Sequence, residues 1–266
     1  MKRALALFLF VVSSAALAAP AELRTVLAAL EPSQPGRINM YLLAVAGDGS
    51  QEVFRREVEF VRSQFDRDFG TRGRSVALVN TRSTASTAPP ATVATIREAL
   101  MGIAARMDRD NDILFLFMTS HGGKDHEFKL SQNATALPGL KPRELAEMLD
   151  DSRIRWKVVL VSACYSGGFI APLKDATTMV ITAARADRTS FGCEDENDFT
   201  YFGRAFFKEA LPGSGSFFEA FGKAKSLVDE WEKNDKTSKA ERSLPQIHSP
   251  VPLSEHLKKW WAQPKH

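Results

Sequence analysis

Two reactive side chains stand where apolar runs stop. His121 ends the run in "LFLFMTSHGG", residues 114–123, and Cys164 ends the run in "VVLVSACYSGG", residues 158–168. An imidazole can take the proton of a nearby thiol, and the resulting thiolate can attack a carbonyl carbon. Glycines follow both residues (Gly122 and Gly123, Gly167 and Gly168), so the backbone can turn sharply beside each group. The backbone N–H groups of Gly122 and Cys164 are candidate donors to a developing oxyanion, each worth ~3 kcal/mol. Either residue alone has a blander reading, a cysteine filling the core or a histidine capping a loop. Taken together, with a strand-like run before each and glycines after each, they read as a nucleophile and its base.

Other reactive side chains read as quieter. His126 lies five positions after His121, between Asp125 and Glu127. The spacing matches no common zinc motif, so a solvated hairpin is the expectation and no metal is assigned. Ser166 sits in "CYSGG", but the serine-hydrolase elbow needs glycine two residues earlier, where Cys164 stands. Asn133-Ala134-Thr135 has the glycosylation pattern. Cys193 is the second cysteine, and a Cys164–Cys193 disulfide in an oxidising compartment would silence the thiol.

The elements that must position these groups alternate between strand and helix. "INMYLLAVAG", "RSVALVN", "DILFLFMTS", "KVVLVSA" and "TTMVITAA" read as strands. "VFRREVEFVRSQFDRDFG" and "ATVATIREALMGIAARMD" carry apolar residues at helical spacing, and "KPRELAEMLDDS" reads as a third helix. "YFGRAFFKEAL" and "SFFEAFGKAKSLVDEWEKNDK" read as two more. The Pro- and Lys-rich tail reads as mostly irregular. Strands that are apolar on both faces, with helices between them, imply an α/β fold with a mostly parallel sheet of about six strands covered on both sides. Ligands of such sheets bind at the carboxyl ends of the strands. On adjacent strands ~5 Å apart, His121 and Cys164 would emerge at one rim.

The 266 residues suit one large domain, expected over 20–266. "MKRALALFLFVVSSAALAAP" has a basic start, a short apolar stretch and the triplet Ala16-Leu17-Ala18, the layout of a signal peptide over 1–19. A periplasmic or secreted protein with no stable membrane span after its removal is expected. Residues 1–19 hold two basic and no acidic side chains, so their removal turns 35 basic against 32 acidic into 33 against 32. A nearly neutral chain without a basic block is not built for nucleic acid.

"TSHGG" followed by "SACYSGG" resembles the paired signature of the legumain-type cysteine peptidases, in a secreted, bacterial-style form. The likeness extends from "LLAVAG" to "TAARADRTSFGC", roughly residues 38–207. The resemblance implies a caspase-like three-layer sandwich. It implies an endopeptidase working through an acyl-enzyme, with His121 as base and acid, Cys164 as nucleophile, Gly122 and Cys164 as oxyanion donors, and no cofactor. Its partners would be peptide or protein substrates. Some relatives transfer the acyl group to an amine, so a transamidase or peptide ligase is an alternative, as is an inactive peptide-binding relative. Such enzymes cut after Asn through a pocket arginine with acidic partners. Arg55 takes the place of that arginine, and Thr189 and Ser190 the place of the pocket serines. The chain departs from the pattern at three places. Ser162 stands where the family has a glutamate, Arg204 where it has the pocket aspartate, and Val53 where an asparagine supports the dyad. Arg55 with Arg204 in one pocket would tolerate or prefer Asp at the cleavage position; alternatively Arg204 is exposed and Glu194 or Asp195 supplies the acid.

Overall fold

The computed structural model of the protein describes residues 20–82 and 88–264, so the expected signal peptide lies outside the described residues. Helix α1 (Ala21–Ala28) precedes strand β1 (Met40–Ala46), helix α2 (Glu52–Asp68), β2 (Ser75–Val79), α3 (Val93–Ala104) and β3 (Ile113–Thr119). A hairpin of β4 (Phe128–Gln132) and β5 (Thr135–Leu140) leads to α4 (Pro142–Ser152) and β6 (Trp156–Ser162). The short α5 (Ile170–Leu173), β7 (Thr178–Thr182), short α6 (Tyr201–Gly203), α7 (Phe217–Asn234), β8 (Gln246–His248) and α8 (Val251–Trp261) complete the order.

Six strands form one sheet in the order β2-β1-β3-β6-β7-β8. The first five are parallel, and β8 closes the edge antiparallel to β7. Every residue of β1, β3 and β6 is buried, which is why these strands read as unbroken apolar runs rather than alternating ones. On one face α2, α7 and α8 pack Phe54, Phe65, Phe217 and Trp260 against Phe115 and Phe117. On the other, α1, α3 and α4 pack Leu23, Ile96, Leu100 and Leu145 against Leu114 and Leu116. The result is the expected helix–sheet–helix sandwich.

The tail differs from expectation. Residues 246–261 form β8 and α8 rather than irregular chain. Pro252 lies in the first turn of α8, where its missing N–H costs nothing. Leu253, Leu257 and Trp260 then recur at helical spacing and are buried. The hairpin after β3 turns through Asn133 (φ 52°) and Ala134 (φ 61°), left-handed residues that match the twist of paired strands.

Candidate active site

Both reactive residues stand two positions past a paired residue on adjacent strands. Thr119 of β3 is in register with Ser162 of β6, and the pairing continues as Ser120 N–H donates to Ser162 O at 3.1 Å. Counting on equally, His121 comes level with Cys164. Their backbones nearly touch, for a Cβ built on Gly122 would fall 1.9 Å from the carbonyl oxygen of Cys164. No side chain fits there, so glycine is required by this close approach. Neither the Gly122 nor the Cys164 backbone N–H donates to another group among the described residues, which leaves both as ready donors.

His121 is held from two sides. Phe54 of α2 meets its ring edge-on, centroids 5.2 Å apart. Its Nε2 lies in hydrogen-bond contact with Gln51 Oε1. An amide oxygen can only accept, so Nε2 carries the proton and Nδ1 is left as the basic nitrogen. Gln51 is the N-cap residue of α2, yet its side chain makes no cap bond. Asp195 does that work instead, its Oδ1 accepting from Glu52 N–H at 2.8 Å. Burial pushes the nearby Asp48 carboxyl up, but hydrogen bonds from Ser50 and Ser131 outweigh it, and with His121 hold it below the usual range.

Cys164 Sγ receives the Ser190 N–H at 3.3 Å and lies 3.6 Å from Ser190 O and 3.7 Å from Ser190 Oγ. Ser190 therefore meets the sulfur, whereas its neighbour Thr189 makes no hydrogen bond among the described residues. Cys164 and Cys193 are both free thiols. Burial, then nearby Cys164, pushes the Cys193 thiol up to about 11, so it forms a thiolate poorly.

The two arginines assigned to the substrate pocket have separate partners. Arg55 lies on α2 four residues after Gln51, hence on the same face. It is paired with Glu52 and with Glu59, the latter at 2.7 and 2.8 Å. Arg204 opens a π-helical segment, Arg204–Ala210. It bonds Glu209 at 3.1 Å, stacks over Trp231 at 5.0 Å, and is 55% exposed at its side chain. No contact joins it to Arg55 among the described residues. Arg204 thus has the exposed placement of the alternative reading. Asp195 sits at the α2 N-terminus, paired with Arg82.

A buried acid of α2 lies close to Ser162, one of the positions where the chain departs from the family's pattern. Glu57 is fully buried and accepts from Thr200 Oγ1 at 2.8 Å and Thr200 N–H at 3.2 Å. Ser162 Oγ lies 3.1 Å from the same Thr200 hydroxyl, and a Cβ on Gly203 would fall 1.6 Å from Glu57 Oε1. Burial pushes the carboxyl up to about 7. Sequence reasoning missed both Glu57 and Gln51. The signal for Glu57 was present: it falls among Phe54, Val58, Val61 and Phe65, on the buried stripe of α2.

The solved crystal structure of Caspase-1 from Spodoptera frugiperda resembles this chain with a TM-score of 0.55 at 15% identity, covering 82% of this chain and 88% of that one. At that identity the likeness speaks to the fold, a caspase-like one. No curated protein sequence matches the chain. The model of the Peptidase C13 family matches residues 96–248, a stretch that holds His121, Cys164, Ser190 and Arg204 but not Gln51 or Arg55. With more than half of its residues matched, this chain belongs to the Peptidase C13 family.

Proposed function

We propose that the protein is an exported cysteine endopeptidase that cuts after Asn. The observation that supports the proposal is the seating of Gly122 against the Cys164 backbone beyond the ends of two adjacent strands, as an imidazole, a thiol and two N–H donors acting at one rim would require. His121 Nδ1 takes the thiol proton while Nε2–H stays bonded to Gln51. The thiolate attacks the scissile carbonyl carbon, and the N–H groups of Gly122 and Cys164 receive the oxyanion. His121 then protonates the leaving amine, and water releases the acyl group by the reverse sequence.

Asn is favoured over Asp by the charges around Arg55. Its guanidinium already faces the Glu52 and Glu59 carboxylates. A substrate carboxylate would have to sit beside one of them or displace it, whereas a neutral amide can donate to an acid and accept from the arginine. The Asp tolerance expected from a two-arginine pocket loses its basis with Arg204 turned to Glu209 and Trp231.

Mapping cut sites in a peptide library by mass spectrometry tests both parts. Cutting after Asn, abolished by Cys164→Ala and reduced at least a hundredfold by His121→Ala, is the expected result. A library left intact, or cut unchanged by Cys164→Ala, ends the reading. Faster cutting after Asp would overturn the assignment of the pocket while leaving the dyad.

A further inference from the structure

His126 does not sit in a solvated loop. It reaches across from the His121 loop to the turn that carries Cys164. Its Nδ1 lies 3.0 Å from Tyr165 O. A carbonyl only accepts, so the ring donates there. The same oxygen receives Gly168 N–H at 3.1 Å, and Tyr165 N–H donates to Arg188 O at 2.7 Å. Tyr165 is thereby fixed on both sides in the left-handed region, at φ 57°. That conformation costs a residue with a bulky side chain and persists only where its surroundings enforce it. His126 is itself left-handed, at φ 62°, and its N–H donates to Gly123 O at 2.8 Å. The ring lies flush on the turn, since a Cβ built on Gly168 would fall 2.1 Å from His126 Cγ.

We infer that His126 is a positioning residue that clamps the nucleophile turn and so aims Cys164 at the substrate carbonyl. The inference rests on the reading of Cys164 as nucleophile. Through one short loop the clamp joins the strand that ends in the base to the turn that holds the thiol. A turn free to relax out of the left-handed region would carry the sulfur with it, and a misplacement of ~1 Å at a reacting atom is enough to cost about a hundredfold in rate.

The test compares wild type, His126→Ala, His126→Asn, Gly168→Ala and the double variant His126→Ala/Gly168→Ala. His126→Ala should lower kcat on an Asn peptide about tenfold to a hundredfold with KM within about twofold. Asn tolerates the left-handed region and can present its amide N–H near the place of Nδ1, so His126→Asn should recover most of the rate. Gly168→Ala should be as damaging as His126→Ala in the wild type and cost little more in the double variant, because the atoms it strikes are gone. Hydrogen–deuterium exchange of the peptide spanning 163–169 should quicken in His126→Ala. A lower melting temperature with unchanged kcat and unchanged exchange would mean that His126 only stabilises the fold, and fully additive effects of the two substitutions would overturn the clamp. If wild type cuts no peptide, the peptidase reading fails, and the exchange comparison still decides whether the clamp exists.

Discussion

At the scale of single residues, the proposed dyad was visible in the sequence because its two members end apolar runs and are followed by glycines. Its supporting residue was not. A gapless count from β1 puts the supporting position at Val53, which is fully buried in the core. The turn over 47–51 bends so that Gln51, two residues earlier, meets His121 instead. No residue count can see such a turn, because the contact spans 70 positions in the chain. The consequence is testable. Gln51→Ala removes the acceptor that fixes the ring and its tautomer, and kcat should fall about tenfold to a hundredfold, part of the ~10²–10⁴ that a general base supplies. Gln51→Glu places a carboxylate on Nε2–H and favours the imidazolium, so the limb of the pH–rate profile governed by His121 should move to higher pH. A Gln51→Glu profile that overlays the wild type would remove Gln51 from the machinery.

At the scale of elements, the five parallel strands and their covering helices were legible because burial on both faces leaves an unbroken apolar run, and an amphipathic helix leaves a stripe. The tail was misread because the prolines at 245, 250 and 252 look like breakers. Two of them flank β8, and the third sits in the first turn of α8, where proline is tolerated. What α8 contributes is apolar surface. Trp260 stacks with Phe69 at 6.0 Å and Phe217 at 6.0 Å, near the start of β1 and thus at the end of the sheet away from His121. Trp260→Ala should therefore destabilise by about 3–5 kcal/mol in chemical denaturation. Well below its melting temperature it should leave kcat within about twofold. A destabilisation under ~1 kcal/mol would show that α8 is not part of the core.

At the scale of the whole molecule, one buried carboxyl links α2, β3, β6 and the loop before α6, and it makes folding depend on pH. Glu57 Oε1 is held by Thr200, while Oε2 faces Thr119 Oγ1, and neither of these last two atoms has another partner among the described residues. Among the described residues no cation faces the carboxyl, so burial keeps the proton on up to about pH 7, against 4.5 for an ordinary glutamate. Between those values the folded protein holds a proton that the unfolded chain has released. Stability from this group is full below pH 4.5 and is lost as pH rises through 7, at up to ~1.4 kcal/mol per pH unit and on the order of 3 kcal/mol in all. Glu57→Gln keeps the acceptor for Thr200 and offers an N–H toward Thr119, but has no proton to lose. The difference in unfolding free energy between variant and wild type should therefore grow in favour of the variant from pH 4.5 to 8. Because a difference is read, the titration of every other group cancels. Parallel curves over that range would mean that Glu57 is charged in the folded protein, with a compensating partner that the hydrogen bonds to Thr200 do not supply.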